Sequence, residues 1–517
     1  MTTLRPTFAL LLALVAGCAA ELPPSPPPLT GALPARDTTP PPPPAREAPP
    51  SSATARPFRF PRVAWTELPG GLKLGTLAGK GGPLVHVRVV IGAGRAADGE
   101  RPGLAAMTAQ LLAGGAAAAR LASLGAGLSV DTGIDATTLG LAVTRDHLGE
   151  ALDALGALVA RPQWAPAELD RLKKRESRRL AALARDDGAW GASVMLYRDL
   201  FSLPSEHHPY ATWSATPEDI DKLTAADCRA FHRGFYVPRN TFVVVSGDAP
   251  PDAVGPLVQK AFAALSGGDA TALSFTDPTA LEARKITLVD RPHSPESEVL
   301  VGVLGPPRAD RSFAAFTVAS QILGGAGGRI EADLRDKRGI VLSARSQVTE
   351  VAHGPTVLVT RASAPAARTG AVLQALLDHT AALAGRAPDA DEVETVQRAL
   401  AGAFAVRLDA PGAFAAEVTR LRILGLPDER PDGDRKELGD VTPPLVLKAA
   451  GDHLRAGHES IVVAGAAAVI GPVLAHFGEV KVVDPTRGFA RVRTLPMDAG
   501  APLEVPRRAA RGEDTPR

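Results

Sequence analysis

The segment LTAADCRAFHRGFYVPRNTFVVVSGDA, residues 223–249, aligns without gaps with VTPPLVLKAAGDHLRAGHESIVVAGAA, residues 441–467. In this alignment Val-Val-Val at 243–245 falls opposite Ile-Val-Val at 461–463, and a glycine follows each run. Each copy predicts an amphipathic helix, a short turn and a buried β-strand. A repeat of this kind predicts that the folded part of the chain consists of two related units.

The similarity extends upstream of this segment. TAQLLAGG at 108–115 is similar to ASQILGG at 319–325, so the two copies start near residues 58 and 285. Adjacent strand pairs with long amphipathic helices between them favour an α+β fold of two homologous domains, each a mostly antiparallel sheet packed with helices. The expected organisation is a signal sequence at 1–17, a proline-rich linker at 18–57, an N-terminal domain at 58–265, a connector at 266–285, a C-terminal domain at 286–480 and a tail at 481–517.

The composition limits the possible functions. The chain has 517 residues, of which 45% are apolar, and this length exceeds what one hydrophobic core usually supports. Its 57 basic and 56 acidic side chains leave a formal charge of +1, so we expect no nucleic-acid partner. The two cysteines, Cys18 and Cys228, lie in such different settings that we expect no disulfide between them.

The N-terminus is typical of an export signal. Arg5 precedes the apolar run FALLLALVAG at 8–17, which is too short to span a bilayer. Val-Ala-Gly-Cys at 15–18 resembles the bacterial lipobox, which implies cleavage before Cys18 and lipidation of that residue. The alternative is a plain secretory signal cleaved near Ala19. The lipobox implies a protein anchored in the cell envelope on the periplasmic side, with the outer membrane favoured over the inner one.

The segment that follows Cys18 is dominated by proline. Between residues 21 and 57 it contains few large apolar side chains, so it has too little apolar surface to bury in a core. Such a composition favours an extended, semi-rigid polyproline conformation. We therefore expect a tether between the membrane and the folded part of the chain.

Four stretches of the folded region together form a recognisable pattern. They are GLAAMTAQLLAGG at 103–115, SLGAGLSVDTGIDATTLGLAV at 123–143, the segment from His-His-Pro-Tyr to Val-Val-Val-Ser-Gly-Asp at 207–248, and ILGGAGGRIEADLRDKRGIVLSARS at 322–346. These stretches resemble the pitrilysin/insulinase family of zinc metallopeptidases. The resemblance covers residues 60–480. It implies the fold of one half of a clam-shell peptidase.

In that family the first stretch carries the motif His-x-x-Glu-His, in which two histidines bind zinc and the glutamate acts as the general base. The resemblance places Ala106 and Gln110 at the two histidine positions and Ala109 at the base. A methyl group has no lone pair to donate, and an amide oxygen is a weak zinc ligand beside imidazole. We therefore expect no catalytic residue here, and the small side chains would instead line a chamber wall.

The family's third zinc ligand is a carboxylate on a later helix. In ELDRLKKRESRRLAALARDDG the corresponding acidic positions fall on about Arg178 and Arg179, and Glu176 is the nearest carboxylate. A cation at this position repels a metal ion. Zinc is the cofactor of the family, but its ligands are absent from these positions, so we expect no metal and no cofactor.

Other reactive side chains have simpler interpretations. Glu206-His207-His208-Pro209-Tyr210 is the densest histidine cluster, but neighbouring side chains in a turn diverge and His208 belongs to the family's His-Pro-Tyr turn. His453 and His458 are typical of a solvated surface. Cys228 lies on the apolar side of its predicted helix with no base beside it, which indicates a buried structural thiol.

Members of the family also hold substrate with an arginine and a tyrosine seven residues apart in the second domain. Arg335 matches the arginine, whereas Leu342 stands at the tyrosine position. Arg335 is therefore a candidate for binding a peptide carbonyl or carboxylate. An ion pair with Asp333, Asp336 or another acid is the alternative. The glycines at 325–328 lack the Gly-Lys-Ser/Thr ending of a phosphate-binding loop.

The resemblance implies three alternatives for function. The first is a non-catalytic subunit that binds peptides or unfolded protein segments, with an exposed strand edge at 127–133 as the candidate site, and partners an active zinc peptidase of the same family. The second is a standalone periplasmic peptide-binding or assembly protein. The third is an active zinc peptidase with relocated ligands. A membrane contact through the lipid anchor is compatible with each of them.

Overall fold

The computed structural model describes residues 59–78, 82–203, 207–410 and 412–504. The predicted signal sequence, Cys18 and the proline-rich linker lie outside the described residues, as does Glu206. In the described part of the chain the strands are β1 (Ala64–Glu67), β2 (Lys73–Ala78), β3 (Leu84–Ile91), β4 (Ser129–Thr132), β5 (Thr137–Thr144), β6 (Thr241–Gly247), β7 (Lys285–Asp290), β8 (Glu296–Pro307), β9 (Ser343–Thr349), β10 (Pro355–Pro365), β11 (Ser460–Gly465), β12 (Val480–Asp484) and β13 (Ala490–Leu495).

The helices of the same residues alternate with these strands. They are α1 (Leu104–Leu112), α2 (Gly115–Ser123), α3 (Leu148–Ala160), α4 (Pro166–Asp186), α5 (Gly188–Leu200), α6 (Pro217–Lys222), α7 (Ala225–Phe235), α8 (Pro251–Ala261), α9 (Phe313–Gly324), α10 (Arg329–Glu331), α11 (Thr369–Gly385), α12 (Ala390–Asp409), α13 (Ala413–Ile423), α14 (Arg430–Gly439), α15 (Pro443–His453) and α16 (Ala467–Ala475). Among the described residues no single helix has the length and apolar character to cross a membrane. The pair α1 and α2 meets both conditions together, with a bend of 60° between the two helices.

The repeat seen in the sequence forms the same structure twice. α7 leads into β6, and α15 leads into β11, as the alignment predicts. Thr224 and Asp227 close a capping box at the start of α7, in which each side chain accepts the other residue's backbone N–H at 3.2 and 2.9 Å. α15 begins instead with a proline, Pro443, whose ring fixes a helical φ angle.

The first sheet has the strand order β1-β2-β6-β3-β5-β4. β2 and β6 are parallel, and every other neighbouring pair is antiparallel. Alternate side chains of β3, among them Val85, Val87 and Val89, are fully buried in one core with side chains of α1, α3, α7 and α8. The opposite face carries His86 and Arg88, because successive side chains of a strand point to opposite faces.

The second sheet has the order β13-β12-β7-β11-β8-β10-β9. Its two parallel pairs join β12, β7 and β11, and its other pairs are antiparallel. α9, α11, α15 and α16 share a core with one of its faces. The expected α+β architecture of two mostly antiparallel sheets packed with helices is confirmed. The expected end of the second domain at residue 480 is wrong, because β12 and β13 extend this sheet to Leu495.

The two halves of the chain exchange one helix each. α5 follows the long helix α4 and packs against β7, β8 and β11 of the second sheet. Leu196 of α5 lies so close to Gly302 that a β-carbon at residue 302 would approach it to 2.7 Å. α13 follows the equivalent long helix α12 and packs against β3 and β6 of the first sheet. The outer faces of both sheets are therefore covered by the opposite half.

Gly412 shows how closely α13 approaches the first sheet. It precedes α13 with a φ of +74°, a conformation that favours glycine. A β-carbon at this position would lie 2.7 Å from Nδ1 of His86 on β3. The exchange of helices explains why the described residues from 59 to 504 form one compact unit, although the sequence repeat marks two halves.

Candidate functional site

The N-terminus of α1 is held by a buried carboxylate. Asp98 accepts hydrogen bonds from the backbone N–H groups of Gly103 and Ala105, both at 2.7 Å. Burial raises the pKa of Asp98 to about 7, although these two donors and the nearby Arg95 favour its charged form. Two of the otherwise unpaired N–H groups of this helix end are thereby satisfied.

The side chains at the three motif positions of α1 differ in exposure. Ala106 is half-buried, Ala109 is fully buried, and Gln110 is exposed. The amide oxygen of Gln110 accepts a hydrogen bond from Nη2 of Arg175 on α4 at 3.2 Å. An amide and a guanidinium thus meet on the surface where the resemblance places the family's zinc ligands.

The predicted position of the third ligand carries an ion pair. Nε and Nη2 of Arg179 donate to the two carboxylate oxygens of Glu176 at 2.9 and 2.6 Å. This hydrogen bonding raises the pKa of Arg179. The sequence reasoning missed Arg175, which lies one helical turn before Arg179 and contacts Gln110.

The donor set on α1 and α4 does not fit a zinc ion. Methyl, amide and guanidinium groups replace the imidazoles and carboxylates that zinc requires. Throughout the described ranges, no group of three or more His, Cys, Asp or Glu side chains has the arrangement of a metal site.

The other reactive side chains have structural partners. Nδ1 of His208 accepts the N–H of Tyr210 at 3.0 Å, and His207 bonds the hydroxyl of Thr212 at 2.7 Å. Cys228 is buried, as expected, and burial raises the pKa of its thiol. His458 bonds the carbonyl of Leu281 at 2.8 Å through Nδ1.

Arg335 forms ion pairs with neighbouring acids. Its Nε donates to Asp336 at 2.9 Å, and Nη1 contacts Glu331 one turn earlier. Of the two acids named from the sequence, Asp336 is a partner, whereas Asp333 pairs with Arg338 at 2.6 Å. Leu342, at the family's tyrosine position, is 57% exposed.

The outermost strands of the two sheets contribute to a common cavity. β4 is the outermost strand of the first sheet, and its Ser129 and Asp131 side chains are exposed. The predicted edge strand at 127–133 is thus present as β4. β9 is the outermost strand of the second sheet. Asp131 of β4 and residues 347–349 of β9 line a cavity of about 900 Å³, together with parts of α12, α13 and α14.

A polar network joins the two halves beside this cavity. The hydroxyl of Tyr210 donates to Asp135 at 2.5 Å and accepts the N–H of His353 at 3.0 Å. The second oxygen of Asp135 accepts the N–H of Ala352 at 2.9 Å. Tyr210 belongs to the His-Pro-Tyr turn, so this motif connects β4 and its following loop to the segment after β9.

Buried ion pairs build the wall formed by the second half. Arg308 is 5% exposed and contacts Asp434 at 2.5 Å and Glu350 at 3.2 Å. Arg420 pairs with Glu350 and, at 2.7 Å, with Glu417. Hydrogen bonds and attraction from these acids raise the pKa of Arg420 despite the desolvation that opposes the charge. Since even Arg308, the wall residue nearest to β4 in the sequence, follows Thr132 by 176 residues, no local pattern predicts this wall.

The fold and the site define a class of protein with two homologous sheet-and-helix units that exchange a helix each. The helix that corresponds to the zinc-binding helix of the resembled family carries no metal ligands. Residues 222–400 match a family model described as the peptidase M16 inactive domain. The zinc protease PqqE of Helicobacter pylori is 27% identical over 157 residues, a match that spans 29% of this chain and 35% of that protein.

Solved structures share the fold over most of the chain. The peptidase M16 inactive domain of Pseudomonas fluorescens matches with a TM-score of 0.72 and 24% identity, over 78% of this chain and 98% of that one. A protease from Helicobacter pylori matches with a TM-score of 0.72 and 18% identity, over 78% of this chain and 100% of that one. The matched segment and the shared fold support a degenerate member of the pitrilysin-type, or M16, peptidase family.

Proposed function

We propose that this protein is a non-catalytic, lipid-anchored subunit that binds extended peptides and partners an active zinc peptidase of its family. The observation that carries the proposal is the composition of α1 and α4. The scaffold is kept around the zinc position, whereas Ala106, Ala109, Gln110 and Arg175 supply no catalytic ligand set.

The retained packing of α1 supports a role for the scaffold apart from chemistry. Leu104, Ala105 and Met107 are buried in the first core, and Asp98 caps the helix. Although α1 has no metal ligands at the motif positions, its core contacts still fix the surface beside β4. An active partner would supply the zinc and the general base.

The free edge of β4 is the proposed peptide site. Among the described strands β4 pairs with β5 alone, so its second edge can accept an extended peptide. Main-chain hydrogen bonds to such an edge supply affinity without requiring one sequence, and each adds about 0.5–1.5 kcal/mol net. This mode suits a subunit that handles many unfolded segments.

The lipobox-like sequence supports a location in the cell envelope. Acylation of Cys18 would hold the protein on the periplasmic side, with the outer membrane as the preferred location, and the proline-rich segment would separate the folded part from the lipid. Replacement of Cys18 by serine should release the protein from membranes, which fractionation and mass spectrometry of the mature N-terminus would test.

A standalone peptide-binding or assembly protein is the second candidate. Two observations favour it: Leu342 replaces the substrate-holding tyrosine, and Arg335 pairs with Glu331 and Asp336. A chain that only assists a peptidase has reason to keep both substrate-holding residues available.

Purification from native membranes distinguishes the proposals. The tagged full-length chain, extracted in mild detergent, should carry a stoichiometric companion with His-x-x-Glu-His, and chelator-sensitive peptide cleavage should require that companion. A chain that binds peptides but purifies without a peptidase would support the standalone role. Stoichiometric zinc and chelator-sensitive cleavage by this chain alone would show an active enzyme with relocated ligands.

A further inference from the structure

The cavity between the two strand edges is rich in cations. Six arginines line it, against four carboxylates. The six are Arg88, Arg95, Arg308, Arg407, Arg420 and Arg435. The cavity is separate from the degenerate metal position, because none of its lining residues belongs to α1 or α4.

Three of the four carboxylates are already engaged within the protein. Asp135 accepts from Tyr210 and a backbone N–H, whereas Glu350 and Asp434 pair with arginines of the same wall. Asp131, the fourth, attracts the half-buried Arg88. Arg308, Arg407 and Arg420 are themselves paired with Glu350, Asp434 or Glu417. Because each arginine has five N–H donors, the lining still has more donors than free acceptors.

Several of the donors in this lining are buried without a hydrogen-bond partner among the described residues. They are Nε of Arg95, Nη1 of Arg308 and the hydroxyl of Thr419. Arg308 is 5% exposed and Thr419 4% exposed. A buried donor without an acceptor costs about 1–3 kcal/mol, so a ligand that presents acceptors here gains from satisfying it.

The arginines approach the cavity from both halves. Arg95 precedes α1, and its guanidinium lies 5.2 Å from the ring centroid of Trp213 while Nη1 donates to the carbonyl of Thr132 at 3.0 Å. Arg308 comes from the end of β8 and lies 4.3 Å from the ring centroid of Phe313. Aromatic contacts of this kind hold a guanidinium in place while leaving some of its N–H groups available.

We propose that this cavity binds the carboxylate side chains of an acidic, extended peptide segment. The inference rests on the proposed peptide-binding function and names the class of peptide. The placement supports a peptide over a small anion, because the outermost strands of the two sheets, β4 and β9, both contribute residues to the cavity lining. The volume of about 900 Å³ is within the range of ligand sites and holds several residues.

The test measures the affinity of the full chain for matched peptides by fluorescence anisotropy. The probes are a capped hexapeptide that alternates valine with glutamate, its glutamine counterpart, and free succinate as a competitor. We expect the glutamate peptide to bind at least about tenfold more tightly than the glutamine peptide, with a preference that weakens as salt rises. Succinate should compete only at far higher concentrations.

Variants locate the site. Arg88→Gln and Arg308→Gln should each reduce the preference for glutamate to about twofold or less, and Arg308→Lys should retain part of it. Arg398→Gln is the matched control, because Arg398 lies on α12 outside the cavity lining and its side chain is 58% exposed. Circular dichroism identifies any variant that fails to fold, and the half-buried Arg88 provides the test if Arg308→Gln is one of them.

The possible results separate this inference from the proposed function. Equal binding of both peptides overturns the acidic preference and leaves peptide binding intact. An absence of binding to either peptide overturns both proposals. Succinate that competes at the concentration of the peptide itself overturns the peptide assignment, since the main chain then contributes nothing.

Discussion

The substitution Asp98→Asn tests whether burial or hydrogen bonding decides the protonation state of the carboxyl group before α1. Two N–H donors, from Gly103 and Ala105, and the nearby Arg95 favour the charged form, whereas burial favours the neutral form. Burial is the larger influence and raises the pKa of Asp98 from 3.8 to about 7. Asparagine has nearly the same shape and does not titrate.

The sign of the pH effect follows from this direction. The folded protein binds the proton more tightly than the unfolded chain, so the stabilisation is complete below pH 3.8 and is lost as the pH rises through about 7. The full difference corresponds to about 4 kcal/mol, of which about 3 kcal/mol falls between pH 5 and 8.5. Asparagine has only one side-chain oxygen, so its NH₂ group would face one of the two backbone N–H groups whose hydrogen bonds Asp98 accepts. This loss of an acceptor costs about 1–3 kcal/mol at every pH.

Urea unfolding of both proteins at pH 5 and pH 8.5 measures the effect. The free energy of unfolding of the wild type, relative to Asp98→Asn, should fall by about 3 kcal/mol across this interval. Other titrating groups cancel, because the two proteins share them. A difference that stays constant, or that grows in favour of the wild type as pH rises, would refute the reasoning and show that the N–H donors and Arg95 keep Asp98 charged throughout.

Three further predictions concern the contacts between the halves and the lost metal position. Gly412→Ala should lower the free energy of unfolding by about 1–3 kcal/mol more than Gly425→Ala does, as measured by urea titration. Both glycines have a positive φ, but a β-carbon at residue 412 would collide with His86, whereas no atom lies within 4 Å of the β-carbon position at residue 425. Tyr210→Phe should cost about 1–3 kcal/mol in the same assay, since Asp135 and a backbone N–H lose their partner, and an unchanged midpoint would contradict that. Restoring His-x-x-Glu-His at 106–110 should give neither stoichiometric zinc nor chelator-sensitive cleavage, because the third ligand is absent; either result would place a carboxylate donor where we find none.

The sequence predicts those parts of the fold that depend on local signals. The sequence predicts that the helix and strand α7 and β6 recur as α15 and β11, because the helical periodicity and the β-branched run of each copy lie within one 27-residue window. The edge strand at 127–133 is also anticipated, through the resemblance. The end of the second domain is misjudged, since β13 is a mostly exposed strand with two arginines and lacks an apolar run.

The sequence does not predict the exchange of α5 and α13. Both helices have apolar faces. Hydrophobic periodicity predicts that such a face is buried, but it does not predict which of the two sheets covers it. Arg175 was missed for a related reason. Five of the residues from 173 to 179 on α4 are arginine or lysine, so an alignment shifted by one helical turn places the same residue types at the ligand position. Asp98 was recognisable in principle, as an acid shortly before a helix start.

The helix exchange links the lost chemistry to the surface that remains. α13 covers the first sheet, where Val418 packs in one core with Val244, and α5 covers the second sheet, where Leu196 packs in one core with Val462. Neither half can therefore move away from the other without exposing apolar side chains to water. Rigid attachment of this kind fixes the distance between β4 and β9, which both contribute residues to the arginine-lined cavity. Losing zinc ligands on α1 leaves these contacts unchanged, since Ala106 and Gln110 lie outside both exchange interfaces. Substitutions at the metal position therefore leave the cavity wall intact, which is the condition that the proposed peptide-binding role requires.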